Sequence, residues 1–201
     1  MNNFLRIGAY ILHPLLMPLI GTLLYFVITP RFLDPELLRA RLFAVAIITV
    51  FIPVVSFFLL KTLKIVTSIH LAEVSERKVP LMVQGLLLLL IVKMVFDPYD
   101  NPEMYYFFVG VLFSTFTALL LVFINFKTSL HQMGIAGVTM FLIGLSVHFK
   151  VNMLLLIGSL IIGNGWVASS RLHTKSHTYV ELIMGFFIGV IPQLIMFNFW
   201  L

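Results

Sequence analysis

Apolar runs of roughly 16–23 residues recur along the whole chain, and about 18 such residues suffice for a helix to cross a bilayer. Only 10% of the 201 residues are charged and 61% are apolar or aromatic, whereas soluble domains carry about 25% charge. A chain with so little polar cover is not built as a soluble enzyme, a disordered segment or a nucleic-acid-binding module. At about 20 residues per crossing plus short loops, the length accommodates six to seven spans. The expected fold is all-α: a polytopic integral membrane helical bundle, with residues 1–201 forming one membrane domain.

The apolar runs place spans at 8–29, 42–61, 80–97, 104–126, 133–148, 152–168 and 180–200. Asp34-Pro35-Glu36 reads as an N-cap, a first-turn proline and an acid that complements the helix dipole, so the second helix is expected to begin near Pro35. Pro98, Asp100, Asn101 and Pro102 form a turn signal between the third and fourth spans. The first run is too long for a signal-peptide core and lacks a small-x-small cleavage pattern, so it is read as a retained span. With no cysteine, disulfides, thiolate metal ligands and a cysteine nucleophile are all excluded.

Seven spans distribute the loops over two faces. The face holding the N-terminus, 62–79, 127–132 and 169–179 collects eight Lys and Arg against three carboxylates, and the other face carries five of each. The positive-inside rule would make the basic face cytoplasmic. An anion site on that face would use the same cations, so charge alone leaves both readings open.

Four of the six histidines, His70, His131, His173 and His177, fall at span ends on the basic face, where ionisable groups are costly. His148 falls on the opposite face, and His13, beside Pro14, reads as a packing or interfacial residue. His177, Glu181, Gly185 and Gly189 recur at intervals of four, which places them on one helical stripe. A carboxylate one turn from His177 can orient the ring and raise its basicity, and the glycines admit a close neighbouring helix. Ser129 and His131 pair a hydroxyl and an imidazole directly after the fourth span, suiting anion ligation and proton donation. Arg77 and Lys78 precede Pro80 at the mouth of the third span.

Together these segments resemble the three-part signature of the type 2 phosphatidic acid phosphatase superfamily: Lys-x6-Arg-Pro, then Pro-Ser-Gly-His, then Ser-Arg-x5-His-x3-Asp. The third part matches as Ser170, Arg171, His177 and Glu181, with Glu where the family has Asp. The second matches as Thr128-Ser129-Leu130-His131. In the first, Arg77 is present, His70 stands at the Lys position, and Pro80 lies two positions late. The resemblance implies a lipid phosphatase that hydrolyses a phosphate or pyrophosphate monoester without a cofactor or metal. In this scheme His177 is the nucleophile that becomes phosphohistidine, Glu181 orients it, and His131 is the acid and base. Arg77, Arg171, Ser129 and Ser170 would hold the phosphoryl oxygens, with Lys78 standing in for the missing Lys. The partners implied are a membrane lipid phosphate and the bilayer, with no nucleic acid. The resemblance also implies a bacterial inner membrane with the site on the extracytoplasmic side, against the positive-inside count.

Two other readings compete. His173-x3-His177 would put two imidazoles on one helical face, a spacing that suits a metal-dependent membrane lipid enzyme. Lys93 and Asp97, with Gln84, Asn125 and Asn164 in or near other spans, would suit a small transporter.

Overall fold

The computed structural model describes residues 2–68, 71 and 73–201. Among them the helices are α1 (Asn2–Ile11), α2 (Met17–Ile28), α3 (Pro35–Ala46), α4 (Ile52–Thr62), α5 (Lys78–Met94), α6 (Pro102–Phe123), α7 (Leu130–His148), α8 (Leu154–His173) and α9 (Tyr179–Trp200), with no strand. Five helical stretches are long and apolar enough to cross a membrane: Pro35–Thr62, Pro102–Phe123, Leu130–His148, Leu154–His173 and Tyr179–Trp200. Met17–Ile28 is a shorter apolar helix, and α5 has 17 residues. The chain is therefore a helical membrane bundle.

Prolines account for its irregularities. The run 8–29, expected as one span, breaks at His13-Pro14 into α1 and α2, because Pro14 has no N–H to continue the ladder. Its substitute bonds are short turns, from Leu16 N–H to the His13 carbonyl and from Met17 N–H to the Pro14 carbonyl. α1 then lies against α8, while α2 packs on α7. α3 and α4 form one continuous helix through a π-turn at Ile47–Phe51. Pro53 follows this wide turn, which relieves the clash and missing donor that a proline imposes on an α-helix. As expected, Asp34 caps α3, accepting from the Glu36 N–H at 2.7 Å.

In α9, Pro192 withdraws the donor that would serve the Ile188 carbonyl one turn back. The buried Ser114 hydroxyl of α6 approaches that carbonyl at 2.8 Å. In hydrocarbon, where water cannot repair an orphaned carbonyl, a neighbouring helix must do so. Next to this repair, Gln193 Nε2 donates to the Phe107 carbonyl at 3.0 Å, further fastening α9 to α6.

Four helices end in a common way. Lys64, Asn125, Lys150 and Lys175 have positive φ, and each sits where the following N–H closes a wide bond back into the helix, such as Phe126 to Leu121 and Ser176 to Arg171. These are left-handed C-terminal stops made without glycine. α8 reaches this stop at His173, past the expected end at 168, whereas α7 ends at His148 as expected and starts before the expected 133.

The two ends of the bundle differ in chemistry. At one end the fully buried Glu103 accepts from Arg31 Nη2 at 2.6 Å and from the Tyr25 hydroxyl at 3.2 Å, with His148 Nε2 at 3.1 Å. A carboxylate in this position is tolerable only because several donors surround it. This cluster ties the end of α2 to the start of α6 and the end of α7. The other end carries the loops between α4 and α5, α6 and α7, and α8 and α9, where the predicted site residues lie.

Ser114→Ala, which orphans the Ile188 carbonyl, is expected to lower stability by about 1 kcal/mol, measured by unfolding in mixed detergent. In a Pro192→Ala background the restored N–H serves that carbonyl, so the same change should cost clearly less.

Candidate functional site

α9 begins at Thr178, whose hydroxyl accepts from the Glu181 N–H at 3.3 Å. A carboxylate at the third helical position commonly reaches back toward the cap. Glu181 does so, but its partner is the side chain of His177: Nδ1–H donates to Oε2 at 2.6 Å. With Nδ1 thus occupied, the imidazole lone pair lies on Nε2. His177 precedes the cap rather than lying inside the helix, so the expected helical stripe begins at Glu181, yet the pair forms all the same. The His177 side chain is only 5% exposed and that of Glu181 19%.

The glycine seam below them sets the approach of α7. A Cβ at Gly185 would stand 2.6 Å from the Ser129 carbonyl, and Gly189 faces the backbones of Met133 and Gly137 equally closely. Such contact between backbones requires glycine. It brings the entry of α7 alongside that of α9, and the Ser129 N–H donates to the Glu181 carbonyl at 3.2 Å. The Ser129 hydroxyl meanwhile caps α7 by accepting from Gln132 N–H at 3.4 Å. The Ser129 N–H is thus engaged with α9, while its hydroxyl, accepting at the cap, keeps its own proton to donate.

Arg77 is buried at the head of α5. Its Nη1 donates to the Thr128 carbonyl at 2.9 Å and its Nε to the Leu71 carbonyl at 3.1 Å, which uses two of the five guanidinium donors and leaves three. The guanidinium acts electrostatically on both His177 and Glu181. Lys78 does not join it. The next residue along a helix turns about 100° away, and the Lys78 ammonium sits 5.3 Å from the centre of the Phe123 ring instead. The cation that does stand with Arg77 and Glu181 is Lys127, which none of the three motifs assigns a role although it lies two residues before Ser129. His70, the residue at the missing Lys position, lies outside the described residues.

Ser170 and Arg171 end α8 on the same side. Ser170 is fully buried, and its hydroxyl and the Arg171 Nε have no hydrogen-bond partner among the described residues; the Thr128 hydroxyl and Gln132 Oε1 share that condition. Unpaired buried polar atoms at one end of the bundle call for polar partners such as a ligand or ordered water. His131 lies within electrostatic range of both Arg171 and His177. His13, expected to be a packing or interfacial residue, packs against His131, with ring centroids 5.1 Å apart and planes at 80°. No local signal in the sequence joins His13 to a residue so distant along the chain.

The proposed metal pair fares differently. α8 ends at His173 and a turn follows before α9, so His173 and His177 share no helical face. Among the described residues no group of three or more His, Asp or Glu is placed to hold a metal ion. For the transporter reading, Asn164 is absorbed into a hydrogen-bonded relay, accepting from Gln132 Nε2 and donating to the Thr139 hydroxyl, each at 2.9 Å.

An open depression of about 460 Å³ leads to His177 and Glu181, bordered by Lys127, Lys175, Ser176 and Tyr179. Burial holds the His177 imidazole below its ordinary value, as do the nearby Arg77 and Lys127 cations, against the hydrogen bond it donates to Glu181. Lys127 is likewise depressed, by burial first and then by Arg77. The ring is therefore neutral and carries a free lone pair at neutral pH. Replacing Lys127 with Ala should raise the His177 pKa and Glu181→Gln should lower it, as read from imidazole nuclear magnetic resonance titrations.

Comparison of the chain with protein-family models, with curated proteins and with solved structures finds no match.

Proposed function

We propose that the protein is an integral membrane lipid phosphatase that removes phosphate from a phosphate or pyrophosphate monoester whose apolar tail stays in the bilayer. The observation that carries this reading is the buried His177–Glu181 pair, its free Nε2 set among Arg77 and Lys127, with Arg171 and His131 at the same end of an apolar bundle. A neutral imidazole oriented by a carboxylate is a nucleophile. Phosphoryl transfer then needs chiefly positioning and positive charge.

In this reading the Nε2 lone pair attacks phosphorus. The P–O bond to the lipid breaks with its electrons on the departing oxygen, which takes a proton from His131. Water next attacks the phosphohistidine and gives a proton back to His131, and the N–P bond breaks to return the pair to Nε2. Arg77, Lys127, Arg171 and the Ser170 hydroxyl surround the phosphoryl oxygens. Glu181 reaches one methylene further than an aspartate would, and the 2.6 Å contact with His177 accommodates that length. Phosphatidic acid, phosphatidylglycerol phosphate and isoprenyl diphosphates are the substrate classes in view. The membrane is a bacterial inner membrane with the site on its extracytoplasmic side.

Purified protein in detergent should release phosphate from at least one of these lipids, and His177→Ala should abolish the release. No release from any of them would overturn the reading. Because the free base is the reactive form and its pKa lies below the ordinary 6.5, activity should persist as pH falls through 6.5. It should be lost only where the buried ring finally protonates, and Lys127→Ala should move that acid limb to higher pH.

A further inference from the structure

Two imidazoles at this end of the bundle belong to none of the three motifs: His173, which is exposed, and His13, which meets His131. His13 sits on the break between α1 and α2, and α1 is firmly seated. Phe4 stacks on Trp166 of α8 with centroids 4.7 Å apart, the indole N–H donates to the Phe4 carbonyl at 3.1 Å, and Gly8 lies against the same indole ring. The break therefore has a fixed position over the start of α7, where the two imidazoles meet edge to face. At the break itself His13 Nδ1 accepts the Leu15 N–H at 3.3 Å. A neutral ring whose Nδ1 accepts must carry its proton on Nε2, so the ring presents a donor on its far edge.

Groups suited to an anion lie near this ring. Arg171 lies in electrostatic range of both His13 and His131. The Ser170 hydroxyl, fully buried, and the Arg171 Nε are both without partners among the described residues. An unfilled hydroxyl and an unfilled guanidinium N–H, with two imidazoles in the range of that guanidinium, match an oxyanion, whose oxygens accept several hydrogen bonds at once. Burial, with Arg171 adding to it, holds the His13 ring below its ordinary pKa. It thus stays neutral, keeping the lone pair that Leu15 uses and a proton to donate. Arg171 on α8 and His131 on α7 are the titratable and charged groups that face it; beyond them, His177 acts on His131 and Tyr10 of α1 on Arg171.

We propose that His13 is a further ligand of the phosphate site, its Nε2–H donating to a phosphoryl oxygen held by Arg171 and Ser170. The N-terminal helix is then one wall of the site, and the third imidazole binds where the motifs supply no side chain. This rests on the phosphatase reading, and it involves no proton transfer.

The two nitrogens of His13 make different predictions, which separates a ligand from a residue that merely shapes the break. Gln places a side-chain donor near Nε2, while Asn keeps only an acceptor near Nδ1. Inorganic phosphate binding to the full chain in detergent, by titration calorimetry, should weaken about tenfold or more in His13→Ala and His13→Asn, as expected for loss of a hydrogen bond to a charged group. His13→Gln should stay within about threefold of the parent. If His13→Asn binds like the parent while His13→Gln and His13→Ala do not, the ring only caps the break and the inference fails. It fails also if all three variants bind like a parent that binds phosphate and turns lipid over. A parent that neither binds phosphate nor releases it overturns the phosphatase reading along with this one.

Discussion

The site depends on how closely the backbones of α7 and α9 approach. At Gly185 and Gly189 there is no room for a side chain, since a Cβ would press on the carbonyls of Ser129 and Met133. In hydrocarbon, helices gain nothing from hiding apolar surface, so close packing and interhelical hydrogen bonds must hold them. The glycine seam supplies the packing, and the bond from Ser129 N–H to the Glu181 carbonyl locks the two helix entries in register. His131 and His177 come to one end of the bundle as a consequence. The Ser129 N–H is committed to this junction, while its hydroxyl caps α7 as an acceptor and retains its own proton.

A second constraint acts at three prolines within or between helices, where the irregularity is compensated either locally or by a neighbouring helix. Ser114 serves the carbonyl that Pro192 abandons, the π-turn at Ile47–Phe51 accommodates Pro53, and short turns replace the ladder at Pro14. The break at Pro14 goes beyond repair, because it turns α1 back over α8 and sets His13 beside His131. At the far end the buried Glu103, held by Arg31, Tyr25 and His148, fastens three helices without taking part in the site. The two ends of the bundle thus use charge differently, with a satisfied carboxylate anchoring one and cations with spare donors gathered at the other.

The electrostatics of the site oppose one another in a useful way. Glu181 favours a protonated His177, while burial and the Arg77 and Lys127 cations disfavour it. The disfavouring influences prevail, leaving a neutral nitrogen with a carboxylate still fixing its orientation. Lys127 provides the second cation beside Arg77, the place that sequence alone assigned to Lys78. Lys78 turns instead to the face of Phe123, since adjacent helical residues diverge.

The helical membrane class, the cap at Asp34, the turn at Pro98–Pro102 and the His177–Glu181 pair could all be read from residue order. Each rests on interactions between residues a few positions apart, where spacing and side-chain chemistry are decisive. The long apolar runs likewise leave a water-facing fold no adequate surface. The break of the first run into two helices, the placing of His13 beside His131 and of Lys127 beside Arg77, and the turning of Lys78 to Phe123 were not legible there. These depend on which helix faces meet, and that is settled by glycine contacts, proline repairs and orphaned donors contributed by segments far apart along the chain. Local pattern names the groups able to do chemistry; packing selects which of them stand together.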